Sequence, residues 1–127
     1  MHLLDTSVAI ALRDDDADVT ERFAELPSPV GLSIITRIEL EGGAADDTFD
    51  GRARRDRLNL LLSAFHVLDF DAEAADAYRM IVRDAGFSRR KTMDRMIAAQ
   101  VLVVGAILIT RNGADFRDIP NLKLLEW

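Results

Sequence analysis

The chain has 127 residues, 49% of them hydrophobic and 30% charged, with a formal net charge of −6 and no cysteine. That length fits one domain, residues 1–127, able to bury about two-thirds of its unfolded surface without staples, and the composition argues against disorder. Without cysteine there are no disulfides, thiolate metal sites or thiol nucleophiles, which is compatible with a reducing cytoplasm.

No signal peptide is expected, because the N-terminus lacks a basic region and Asp5 interrupts its apolar run. The longest apolar stretch, Val101 to Thr110, falls far short of the ~20 residues a membrane helix needs, so a soluble protein is expected. The acidic balance opposes general binding to nucleic acid, unless the acids gather around a divalent cation that reverses the local sign.

His2 to Leu4 reads as a short strand aimed into a core, followed by Asp5, Thr6 and Ser7 as caps for a helix over Val8 to Leu12. Arg13 to Asp18 is a charged turn opening a helix over Val19 to Glu25, which Pro27 and Pro29 stop. Val30 to Ile35 is a β-branched apolar run of strand length, and Thr36 to Glu41 then turns helical and ends at Gly42 and Gly43.

A polar loop, Ala44 to Gly51, precedes an amphipathic helix from Arg52, with Leu58, Leu61, Leu62 and Phe65 on one face. His66 to Phe70 is a strand, and Asp71 caps a helix over Ala72 to Ala85 that Gly86 ends. Phe87 to Lys91 is a basic connector. Thr92 to Gly105, capped by Thr92, is the most apolar helix and should be buried nearly all round. Ala106 to Thr110 is a strand, Arg111 to Asp118 a loop or short helix, and Leu122 to Leu125 a last strand. Strands alternating with helices predict an α/β fold with right-handed crossovers and a central parallel sheet.

In such sheets ligands bind beyond the carboxyl ends of the strands, which is where Asp5 falls. Asp5 fits two roles, an N-cap and a ligand at that edge. Glu39 completes a Thr36-x-x-Glu39 capping box, yet it lies one turn into a helix that follows an apolar strand. Asp94 opens the most apolar helix with Ile97 and Ala98 at i+3 and i+4, so its charge needs a partner there. Asp115, in the exit loop after Thr110, reads as a turn residue or as a fourth acid at the same edge. Converging carboxylates repel unless a cation neutralises them, and oxygen ligands suit Mg2+ or Mn2+. Zn2+ is disfavoured, with only His2 and His66 and no cysteine. Arg89, Arg90, Lys91, Arg95 and Arg111 lie beside Asp94 and Asp115 in sequence, where they suit phosphate contacts or a solvated basic loop equally.

Four segments, Leu4-Asp5-Thr6-Ser7, Ile35 to Gly42 around Glu39, Asp94 to Ala99, and Thr110 to Phe116 around Asp115, make the chain resemble the PIN-domain family, within it the VapC-type toxins. The resemblance implies a three-layer α/β/α domain and a Mg2+- or Mn2+-dependent endoribonuclease with Asp5, Glu39, Asp94 and Asp115 as its catalytic metal site. It implies assistance from Ser7 and Asn112, a homodimer, and inhibition by a small VapB-type antitoxin protein. Ala44 to Ala85 carries little of the family pattern.

Three other readings compete. A catalytically silent PIN-like module would use the Arg52 to Phe65 helix for binding. A receiver-like Mg2+-binding signalling domain needs acids directly after the first strand, a phospho-acceptor near Asp69 and a Lys after the later strand, where Thr110-Arg-Asn stands. A haloacid-dehalogenase-type phosphatase wants an acid or Thr where Ser7 stands.

Overall fold

A computed structural model describes residues Met1–Trp127. The elements run β1 (His2–Leu4), α1 (Thr6–Arg13), α2 (Ala17–Ala24), β2 (Val30–Ser33), α3 (Ile34–Gly43), α4 (Phe49–Ala64), β3 (His66–Leu68), α5 (Ala72–Ala85), α6 (Thr92–Val104), β4 (Ile107–Thr110) and β5 (Leu124–Glu126), with a 3-10 turn at Gly113–Asp115 between the last two strands. The five strands form one sheet in the order β3-β2-β1-β4-β5, and every pairing is parallel.

The three-layer α/β/α architecture follows from strand alternation. Leu3 and Leu108 point to one face, where they join Ile81 of α5 and Ile97, Ala98 and Val101 of α6 in a buried cluster. Leu4, Leu32 and Ile109 point to the other, against Val8 of α1, Val19 of α2, Leu40 of α3 and Leu58 and Leu61 of α4. A strand buried on both faces has no polar side to show, which explains the unbroken apolar reading of β1 and β4.

The chain builds outward from β1 to β2 and β3, then returns across the sheet to add β4 and β5 on the other flank. The connections therefore diverge between β1 and β4, and a crevice opens beyond their carboxyl ends. Asp5 and Thr110 are the residues that border it.

Several boundaries differ from the sequence expectation, each for a capping reason. The strand expected over Val30 to Ile35 ends at Ser33, whose hydroxyl accepts the Ile35 amide and turns the chain into α3. Thr36 is thus inside the helix, and the capping box with Glu39 does not form. Thr48 accepts the Gly51 amide, so α4 starts at Phe49 instead of Arg52. Asp16 caps α2, and Asp71 caps α5 as expected.

Thr92 does not cap α6. The N-cap is Lys91, without a side-chain bond, and the Thr92 hydroxyl donates to the Ser88 carbonyl. Nor is α6 buried all round, since Met93, Val103 and Val104 stay exposed while its inner face packs on the sheet. Gly86 and Gly105 close α5 and α6 at φ 84° and 67°, a backbone region that favours glycine. No helix is long and apolar enough to cross a membrane.

Candidate metal centre

Asp5 is placed by α1, whose first turn it caps. One carboxylate oxygen accepts the Val8 amide at 2.9 Å and the Ser7 hydroxyl at 2.6 Å, and the other accepts the Thr110 hydroxyl at 2.5 Å. The residue is 3% exposed. Burial pushes its carboxyl above the ordinary value, against the opposing pull of the Ser7, Thr110 and Val8 donors. The cap role of Asp5 is thus realised, and the same side chain stands just beyond the carboxyl end of β1.

Glu39 lies on α3 facing α1. Its carboxylate accepts the Thr6 hydroxyl at 2.7 Å, and Thr6 also lies 3.3 Å from the buried Thr36 hydroxyl. Glu41 points elsewhere, paired with Arg55 at 2.7 Å and Arg37 at 3.4 Å. Asp115, in the 3-10 turn after β4, pairs with Arg90 at 3.1 Å.

Asp94 feels the charge of the other three. Burial is the largest cause raising its carboxyl to about 6, followed by the charges of Asp115, Asp5 and Glu39, with Arg90 alone pulling down. No hydrogen bond steadies it. Carboxylates on α6, the β4 exit loop, β1 and α3 thus share one electric field at the switch point of the sheet.

Ser7 donates to Asp5 and accepts the Arg111 amide at 3.2 Å, tying the β1 exit to the β4 exit. Asn112 contributes through its backbone, donating to the Thr110 hydroxyl at 2.9 Å, and its side chain is exposed. Thr6 and Thr36 read from the sequence only as caps and Thr110 only as a strand end, although a hydroxyl directly after Asp5 and another ending an apolar strand are signals that could have found them as partners of the site.

Among the basic candidates, Arg89 and Arg90 are exposed, and Arg90 already faces Asp115. Lys91 pairs with Asp118 at 3.3 Å, and Arg111 lies 3.5 Å from Asp16. Arg95 corrects the expectation of a phosphate contact: its side chain is 3% exposed and turns inward to Asp118 at 3.1 Å. A guanidinium buried beneath the helix cannot meet RNA.

The donor set fits a hard divalent ion. It is all oxygen, and the histidines lie at the opposite end of the sheet, since His2 and His66 begin their strands. As the side chains lie, no group of three Asp, Glu or His could hold a metal ion between them. Oxygens of Asp5, Glu39 and Asp115 are engaged with hydroxyls, the Val8 amide and Arg90, whereas Asp94 has no hydrogen bond. Asp69, which a receiver-like domain would place beside Asp5, follows β3 at the edge of the sheet, two strands away.

A family model described as PIN domain matches residues 2–122. The chain belongs to the PIN-domain family. Two curated relatives are each named tRNA(fMet)-specific endonuclease VapC. That of Salmonella typhimurium strain LT2 is 30% identical over 135 residues, covering 98% of this chain and 96% of the relative. That of Shigella flexneri is 29% identical over 128 residues, with the same coverage of 98% and 96%. The solved structure of DNA-bound VapBC from Salmonella typhimurium superposes with a TM-score of 0.85 at 27% identity, over 99% of this chain and 97% of that one. This PIN domain therefore carries its acids on a scaffold shared nearly end to end with those proteins.

Proposed function

We propose that the chain is a Mg2+- or Mn2+-dependent endoribonuclease, the toxin half of a toxin–antitoxin pair. The observation that supports this reading is the shared field of four carboxylates, in which Asp94 is pushed to about 6 with no protein donor to relieve it. A pocket that crowds negative charge at a cost to the fold is one built for a cation.

Asp5, Glu39, Asp94 and Asp115 would hold the ion. When bound, it supplies positive charge for the phosphoryl oxygens of RNA and acidifies water at the scissile phosphate. Ser7 and Thr110 keep the Asp5 carboxylate oriented, and Thr6 does the same for Glu39. Arg89, Arg90 and Arg111 lie at the rim and orient the RNA backbone through its phosphates. Ser7 is committed at both its donor and acceptor positions, and there is no cysteine, so water is the nucleophile.

The relatives' names make initiator tRNA the first RNA to try. Purified protein with Mn2+ should cut RNA, and Asp5→Asn or Asp94→Asn should each lower kcat by about a hundredfold or more. Variants that cut as well as the parent would leave only a binding module.

For the antitoxin, the chain offers a groove of ≈ 500 Å³ between α1, α2 and α4, with an apolar wall of Leu12, Phe23, Leu60, Leu61, Ala64 and Phe65 and polar lining from Arg13, Asp15, Thr20 and Arg57. Leu60 is 71% exposed in it. An apolar side chain left in water on a concave wall suits a partner's apolar helix, and the VapBC complex on this fold makes the antitoxin the occupant to test.

A further inference from the structure

Of the 16 Lys and Arg residues, Arg95 alone is buried. It follows Asp94 directly in the first turn of α6, and its guanidinium reaches two different segments. One end donates to the carbonyl of Gly86, which caps α5, and the other donates to Asp118 at 3.1 Å. Lys91 reaches the same Asp118 oxygen at 3.3 Å. The Arg95 Nε finds no acceptor.

Such an arrangement is a poor way to gain stability. Desolvating a guanidinium costs much of what its partners return, and an apolar side chain of similar volume commonly does as well or better in such a position. The stranded Nε adds to the cost. Geometry is the better explanation. Asp118 lies three residues beyond Asp115, in a loop pinned by the buried Phe116 and Ile119. Gly86 opens the connector that carries Arg89, Arg90 and Lys91. Arg95 therefore joins the turn bearing Asp94, the loop bearing Asp115 and the base of the basic connector.

We propose that Arg95 is a positioning residue of the acid pocket: by clamping Asp118 and the Gly86 carbonyl, it fixes the separation of Asp94 and Asp115 and the stance of the connector beside them. Its consequence for cleavage rests on the nuclease reading above, whereas its consequence for the loop does not. The planar guanidinium can face a carbonyl and a carboxylate at once, which a lysine ammonium cannot do in the same geometry.

The full-length chain is compared with Arg95→Met, Asp118→Asn and the double variant, by amide hydrogen exchange, by calorimetric Mn2+ titration without RNA, and by kinetics. The Asp115, Phe116 and Ile119 amides, bonded to Asn112, Gly113 and Phe116, report the loop. They should exchange about tenfold faster in Arg95→Met, with α4 unchanged. Mn2+ should bind about tenfold more weakly, and kcat should fall by a similar factor while KM for RNA stays within about twofold. The double variant should be no worse than the worse single one, because one clamp is lost in each.

Unchanged loop exchange in a folded Arg95→Met would overturn the proposal, and so would a uniform acceleration across all helices. Should Arg95→Met not fold, Asp118→Asn, which removes the charge that Arg95 and Lys91 clamp, is judged by the same criteria. If the parent binds no Mn2+, the metal reading falls and loop exchange alone decides the clamp. If the parent binds Mn2+ but cuts no RNA, the nuclease reading falls, and exchange and Mn2+ affinity decide it.

Discussion

The acid pocket and the apolar groove lie at opposite ends of α1, a helix of 8 residues and so about 12 Å long. They break opposite rules of folding. The pocket gathers like charges where burial already disfavours them, and the groove leaves Leu60 and the rims of Phe23 and Phe65 facing water. Neither is expected of a chain selected for stability alone. Between them runs an ordinary core, in which Val8, Leu4, Leu32 and Ile109 pack without exposure. The contrast teaches where binding surfaces lie: a departure from good packing means little when scattered, and a great deal when several residues depart together in one concave place.

Two sites that depart in different ways should respond separately to mutation, and, beyond the loss of cleavage expected of the acid variants, the groove gives the largest expected effect. Leu60→Glu places a charge on the apolar wall without disturbing the core, because Leu60 is exposed. The affinity for a VapB-type antitoxin, the occupant proposed for the groove, measured by titration calorimetry, should fall by roughly 2 kcal/mol, about thirtyfold, as for a central interface residue. RNA cleavage and thermal stability should not change. A loss of cleavage equal to the loss of binding would show that the two regions are one functional unit and would end the comparison.

The pocket is broken instead by changing its charge. Asp94 titrates near 3.8 in an unfolded chain and near about 6 in the fold, so between those values the folded state keeps a proton that the unfolded state has lost. Its contribution is complete at low pH and is lost as pH rises through about 6. Asp5, pushed up by burial, acts in the same direction. Without metal, the protein should gain on the order of 1–2 kcal/mol on going from neutral pH to mild acid, measured by urea unfolding. Asp94→Asn should show the same gain at neutral pH and a flatter profile, together with its loss of cleavage. Asp118, whose Lys91 and Arg95 partners outweigh the effect of burial and lower its carboxyl, works the other way only below the ordinary carboxylate range. A variant that loses both activity and stability would mean that Asp94 supports the fold instead of opposing it.

The two regions were unequally legible in the sequence. The sheet and its crevice could be read because buried parallel strands are apolar on both faces and caps mark the helix starts, so Asp5, Glu39, Asp94 and Asp115 could be assigned to one edge. Helix starts failed where two hydroxyl residues competed: Ser33 and Thr36 both suit a cap, and only packing decides that Ser33, also bonded to Gln100, takes the role. The inward turn of Arg95 was hidden for a related reason. A basic residue next to an acid in a first helical turn reads as solvated, and its partners Gly86 and Asp118 are brought to it by tertiary folding alone. The sequence offered the Arg52 to Phe65 helix as a binding element of a silent module, but the groove itself was hidden, because Leu60 falls off the stripe formed by Leu58, Leu61 and Phe65, and Phe23 comes from a helix far earlier in the chain.

The smallest expected effect tests how finely the pocket is balanced. Arg90 pairs with Asp115 at 3.1 Å, yet its side chain is 72% exposed, and such pairs contribute about 0–1 kcal/mol. In Arg90→Gln an Asp115 oxygen loses that partner, so Mn2+ should bind slightly more tightly, by no more than about fivefold at low ionic strength and by less as salt screens the pair. RNA loses a cation at the rim in the same variant, so KM should rise severalfold while kcat changes little. The two changes therefore have opposite signs, tighter metal and weaker RNA, which a general disturbance of the pocket would not produce. If both weaken together, Arg90 is part of the frame that shapes the acid cluster, and its place is with Arg95 instead of with the arginines proposed to meet phosphate.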